Sequence, residues 1–216
     1  MLEDWVVLQN NILINKTEAM KSLNEIIPKD SNFNIIYVSP EAYQLAGFIS
    51  QNLNTASSRI YSEYYYSPIS NTRLGLVDEF GNITMDKNSF YSFELDEKEI
   101  KEKCLSIQNS LILKGEKRPV NIKNFVKDKN ILLVKESIES GLKAFATIET
   151  LKILGAKSIS LACISMPEDM IETLEINTDN IYCPHVIENF VKAKHHLQYD
   201  EKIEEENTQS PKEIKI

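Results

Sequence analysis

Residues 131–166 read ILLVKESIESGLKAFATIETLKILGAKSISLACISM, and this stretch decides the fold. Ile131-Leu132-Leu133-Val134 is an unbroken apolar run, the pattern of a strand buried on both faces in a parallel sheet. Lys135 to Gly141 reads as a polar turn. A helix is expected from there to about Leu154, because Ala144, Ile148 and Leu151 recur at helical spacing with Phe145 beside them. Gly155 is placed to end it. Ser158 to Ile164 is a second buried strand, Pro167 opens a short helix through Leu174, and Asn180 to Cys183 offers a third strand. Strand–helix–strand–helix–strand at these lengths is the unit of an α/β fold, a parallel central sheet flanked by helices.

The pattern continues toward the N-terminus. Asn34 to Val38 is a buried-strand candidate that runs into Ser39-Pro40-Glu41, read as a helix start with proline in the first helical position. Ahead of it, Thr17 to Ile27 has a helical apolar face stopped by Pro28. Arg59 to Tyr66 reads as a tyrosine-rich strand whose rings alternate between buried and exposed. Leu74 to Glu79, the Phe80-Gly81-Asn82 turn and Ile83 to Met85 read as a β-hairpin. Asp96 to Leu113 is expected to be a helix with Glu94 to Glu102 along an exposed face, and Lys114 to Asn121 a loop. Trp5 is read as a packing residue.

The chain has 216 residues and a formal charge of −8, with 42% apolar residues, enough for a packed core. That charge argues against a nucleic-acid binder, which needs concentrated positive charge. No apolar run approaches the roughly 20 residues of a membrane span, and nothing near Met1 suggests secretion. Cys104, Cys163 and Cys183 are odd in number and widely spaced, so reduced cysteines and a cytoplasmic location are expected. Residues 1–199 are read as the folded domain. Residues 200–216 hold six acids and three lysines and are read as an acidic tail. His195 and His196, beside Lys192 and Lys194, read as a solvated basic patch, and Asp78-Glu79 as a solvated turn.

In an open α/β sheet, ligands bind where loops leave the carboxyl ends of strands, which singles out Lys135 to Leu142. Residues 131–174 resemble the signature region of the type I phosphoribosyltransferases, especially the broad bacterial group. That family reads V-I-L-V-D-D-G-I-A-T-G-A-T, then a helix ending L-G-A, a strand and P-x-x-x-x-x-x-L. PISNTRLGLVDEFGNITMD (68–86) is similar to the family's hairpin segment, TEAMKSLNEII (17–27) to its N-terminal helix and YCPHVIENFVKAKHHLQYDE (182–201) to its C-terminal segment. The resemblance covers about residues 15–200. It implies a small hood, built from the first ~15 residues and the C-terminal segment, and a β-hairpin insertion. It also implies binding of phosphoribosyl diphosphate with Mg²⁺ and transfer of ribose phosphate to a nitrogenous base.

The resemblance breaks at the chemistry. The family's acidic pair, which contacts the ribose hydroxyls, falls on Lys135 and Glu136. Its phosphate loop falls on Ser137, Ile138, Glu139, Ser140, Gly141, Leu142 and Lys143. Glu136 is the one carboxylate left as a catalytic candidate, while Ser140 and Gly141 keep the hydroxyl and the small turn residue. The diphosphate loop, P-R-G-G-V-P-V-A, falls on Ser39-Pro40-Glu41-Ala42-Tyr43-Gln44-Leu45-Ala46, without the arginine or the glycines. Glu41 and Glu139 place carboxylates where phosphate is expected.

Three readings follow: a phosphoribosyltransferase-like protein with lost or reduced activity, an active transferase, or a nucleotide-sensing regulatory module. Mg²⁺ is expected only with activity. The expected partners are a phosphorylated ribose or nucleotide and a second copy of the chain, with no nucleic acid and no membrane.

Overall fold

The computed structural model describes residues 13–67, 70–85 and 97–198. Trp5, Glu94 and the acidic tail lie outside them. A parallel sheet forms the centre. Its strands are β2 (Phe33–Tyr37), β3 (Ser57–Arg59), β7 (Asn130–Ser137), β8 (Ser158–Pro167), β9 (Asn180–Tyr182) and β10 (His185–Ile187). The order across the sheet is β10-β8-β7-β2-β3, and β9 also pairs with β8. The two short strands β9 and β10 share one edge, at Ser160–Ala162 and Ser165–Pro167.

Alternation along β7 builds both faces of the core. Ile131 and Leu133 pack with Ile148 and Leu151 of α5 (Leu142–Ile153) and with Ile122 and Val126 of α4 (Ile122–Val126). Leu132 and Val134 pack on the other face, with Ala19 and Leu23 of α1 (Lys16–Ile26) and Leu45 and Ile49 of α2 (Ala42–Asn52). Asn15 caps α1 by accepting from the Glu18 N–H at 3.0 Å, and Asn121 caps α4 in the same way. A five-residue helix, α6 (Ile171–Glu175), follows β8.

Between β3 and β7 the chain adds an antiparallel sheet of β4 (Ser62–Tyr66), β5 (Arg73–Asp78) and β6 (Ile83–Met85), backed by α3 (Glu97–Glu116). Tyr65, Leu74 and Val77 pack there on Ile100 and Cys104. The hood is a two-stranded parallel pair, β1 (Ile14–Asn15) with β11 (Leu197–Gln198), so the N-terminal and C-terminal segments do meet.

Several boundaries differ from the sequence reading. The tyrosine-rich strand is two strands in two sheets: β3 ends at Arg59, and β4 starts at Ser62 in the hairpin sheet. Pro40 lies in a turn, with the Ala42 N–H on the Ser39 carbonyl, and the helix starts at Ala42. The expected loop after Leu113 is helix as far as Glu116, and Gly115 in its last turn leaves room for the buried Glu79–Arg118 pair. Pro167 both ends β8 and N-caps the 3-10 turn Glu168–Met170 that leads into α6, so the helix expected through Leu174 is present as two short pieces.

Two polar pairs are buried, not solvated. Asp78 accepts from the Phe80 and Asn82 N–H groups, from Asn82 Nδ2 and from Thr150 Oγ1, fixing the hairpin turn onto α5. Glu79 accepts from Arg118 Nη1 at 2.8 Å and from the Tyr61 N–H at 2.9 Å. His196 is also buried, where it stacks on Phe190 and its Nε2 accepts from the Val191 N–H. Each sequence pattern looks solvated because its partner is not marked by spacing along the chain. All three cysteines are free thiols.

Candidate functional site

In chain order, the main strands of the sheet run second, first, third, fourth, fifth. The order reverses between β2 and β7, and ligands bind at such a switch point beyond the carboxyl ends of the strands. The register opens the space. β2 pairs with β7 only as far as Tyr37 opposite Val134, and then Ser39-Pro40-Glu41 turns away. β7 runs on through Lys135, Glu136 and Ser137, with Lys135 and Ser137 still paired to β8 at Cys163 and Ser165. The expected polar turn is therefore half strand, and its true loop is Ile138 to Gly141.

A pocket of about 370 Å³ lies there. It gathers Ser39 and Glu41 from the first predicted loop, and Lys135, Glu136, Ser137, Glu139, Ser140, Gly141 and Lys143 from the second. Pro40, Ala42, Ile138 and Leu142 belong to the same two segments but do not line it; Ala42 and Ile138 are buried in the core. Besides Ala144 of α5 and Ala193, the sequence reading missed four polar contributors. Tyr64 and Arg73 come from the hairpin sheet, and Lys192 and Lys194 from the C-terminal segment. Only the fold brings these to the loops, although the Lys192/Lys194 pair is visible in the sequence as a basic patch.

The pocket is more cationic than its two loops. Arg73, Lys135, Lys143, Lys192 and Lys194 face three carboxylates, Glu41, Glu136 and Glu139. Tyr64 holds two of the cations: Arg73 Cζ lies 3.9 Å from its ring centroid and Lys143 Nζ 4.7 Å. Burial, partly countered by Arg73, pushes the Tyr64 hydroxyl pKa up. Burial also pulls Lys143 down, with Glu41 acting against it. Lys135 is 8% exposed, and burial, aided by neighbouring Lys143, lowers its pKa to about 8.

The carboxylates have other attachments. Glu136 is buried and its Oε1 meets Lys16 Nζ, at the start of α1, at 2.5 Å. Glu139 accepts from the Ala193 N–H at 3.0 Å, tying the loop to the C-terminal segment. The turn into α5 depends on Gly141, whose φ is +70°. A Cβ there would also meet the Phe145 ring at 2.6 Å and Met170 Sδ at 3.1 Å. No side chain caps this helix start; the Leu142 N–H turns back onto the Ser140 carbonyl at 2.8 Å, and Gly141, Lys143 and Ala144 line the pocket.

The residues do not fit the Mg²⁺ of the resembling family. An ammonium stands at the first acidic position and an ion pair holds the second carboxylate. Among the described residues, no group of three His, Cys, Asp or Glu side chains is placed to hold a metal. Among them too, no helix is long and apolar enough to cross a membrane.

No family model and no curated protein matches the sequence. Solved structures do match. TT1426 from Thermus thermophilus is 15% identical, with a TM-score of 0.65 over 86% of this chain and 90% of that one. A hypothetical protein from Neisseria gonorrhoeae with bound ppGpp is 11% identical, with a TM-score of 0.50 over 91% and 93%. A purine phosphoribosyltransferase from Pyrococcus horikoshii is 16% identical, with a TM-score of 0.49 over 86% and 91%. The parallel sheet, the hairpin insertion and the hood agree with what the sequence resemblance implied: the chain has the fold of the type I phosphoribosyltransferases.

Proposed function

We propose that this protein binds a phosphorylated ribose or nucleotide at the β2–β7 switch point and has lost, or nearly lost, phosphoribosyl transfer. One observation carries the reading: Lys135 occupies the first acidic position as a buried cation in the pocket wall, while Glu136 is held by Lys16.

The charge acts in opposite directions on binding and on transfer. A phosphorylated ligand is an anion, and the five cations lining the pocket attract it. Transfer develops positive charge on the sugar, which carboxylates stabilise and an ammonium opposes. Two like charges about 4 Å apart repel by about 4 kcal/mol at an effective dielectric of 20. In a transition state that is nearly a thousandfold in rate. Glu139 weighs less against phosphate than its position in the loop suggests, because its carboxylate already accepts from a backbone N–H. The Neisseria gonorrhoeae protein of similar fold was solved with ppGpp, a phosphorylated nucleoside, which is within the ligand class proposed.

The test pairs calorimetric titration of ribose 5-phosphate and nucleoside monophosphates with a transferase assay on purine and pyrimidine bases. Binding without product supports the reading. Product formation at rates typical of enzymes would establish an active transferase. Absence of binding across the ligands would overturn the proposed role.

A further inference from the structure

The chemistry of the first acidic position goes further than loss of transfer. Lys135 is more than nine-tenths buried, yet it lines the pocket. Among the described residues it makes no ion pair and no side-chain hydrogen bond. Burying an unpaired ammonium is unfavourable, so an anion entering the pocket relieves it. Two more cations converge on the same space. Lys143 and Arg73 both lie over the ring of Tyr64, and neither forms an ion pair among the described residues. The carboxylates Glu41 and Glu139 face this group from the two loops, and Arg59 adds a further cation nearby. Mutual repulsion among the three cations falls when a multiply charged anion sits between them.

We propose that the pocket takes a diphosphate group without a divalent cation, with Lys135, Lys143 and Arg73 supplying the positive charge. The inference rests on the proposed phosphate-binding role of this site and adds to it the ligand group and its independence of metal. Lys135 differs from a bound Mg²⁺ in being a permanent part of β7. The diphosphate oxygens would then bind through charge-assisted hydrogen bonds rather than through metal coordination.

The probe is inorganic diphosphate, titrated calorimetrically into the full chain, once with EDTA and once with excess Mg²⁺. Affinities agreeing within about threefold between the two conditions are expected. Lys135→Met should weaken binding by about tenfold or more, the usual range for a lost hydrogen bond to a charged group. Lys143→Met is the second variant, should the first fail to fold, with a loss of similar size. Binding that occurs only with Mg²⁺ overturns this inference and leaves the phosphate-binding role standing. No diphosphate binding in either buffer overturns this inference, and titration of ribose 5-phosphate under the same conditions decides the phosphate-binding role separately. Unchanged affinity in the Lys variants also overturns the inference.

Discussion

Replacing Lys16 with Met removes the ammonium that pairs with Glu136 Oε1. Lys16 Nζ and Glu136 Oε1 are 2.5 Å apart, with side chains 15% and 8% exposed. Breaking a buried pair by removing one partner costs about 3–5 kcal/mol, because the remaining charge is left in a poor solvent. Lys16 keeps some contact with water, so about 3 kcal/mol is expected, roughly a hundredfold in the folding equilibrium. The assay is urea unfolding at pH 7 of the wild type, Lys16→Met, Glu136→Gln and the double variant. The double variant should recover part of the loss, with a coupling energy of at least about 1 kcal/mol. A Lys16→Met protein within about 0.5 kcal/mol of wild type would show that the pair does not hold Glu136.

The other predictions concern the loop and its supports. Gly141→Ala should destabilise the chain by about 1–3 kcal/mol in thermal unfolding and weaken phosphate binding in titration, since φ is +70° and the new methyl meets the Phe145 ring. Lys135 titrates at about 8 in the fold, against 10.5 ordinarily. Between those values the unfolded chain holds a proton that the folded chain has lost, so the Lys135 contribution to stability rises with pH across that window. Ligand affinity, measured as the ratio of wild type to Lys135→Met, should fall across the same window. Asp78→Ala should cost about 2–4 kcal/mol in urea unfolding, because it strands two backbone N–H groups and frees the hairpin turn from Thr150.

Much of this architecture is legible in the sequence because it depends on local periodicity. The apolar runs at 131–134 and 158–164 and the helical spacing of Ala144, Ile148 and Leu151 each fall where the structure has them. The misread boundaries share a physical cause. Lys135-Glu136-Ser137 looks like a turn because it is polar, but β8 supplies the hydrogen-bonding partners that keep it extended. Arg59 to Tyr66 looks like one strand because β-formers fill it, and nothing local marks the change of sheet.

The candidate site is legible as two loops and illegible as a charge distribution. Glu41 and Glu139 stand inside the loops, whereas Arg73, Lys192, Lys194 and Lys16 arrive from elsewhere in the chain. A reading limited to the loops gives an acidic site; the assembled pocket has more cations than carboxylates. Asp78, Glu79 and His196 show the same effect, since their partners Thr150, Arg118 and Phe190 cannot be assigned by spacing.

Binding of the phosphorylated sugar without its transfer is what most needs direct proof. Isotope-labelled phosphoribosyl diphosphate, incubated with stoichiometric protein, Mg²⁺ and a mixture of purine and pyrimidine bases, tests both halves in one measurement. Label retained on the protein and recovered as intact phosphoribosyl diphosphate is the expected result. Label recovered as nucleotide, or label that never associates with the protein, would show the proposed role to be wrong.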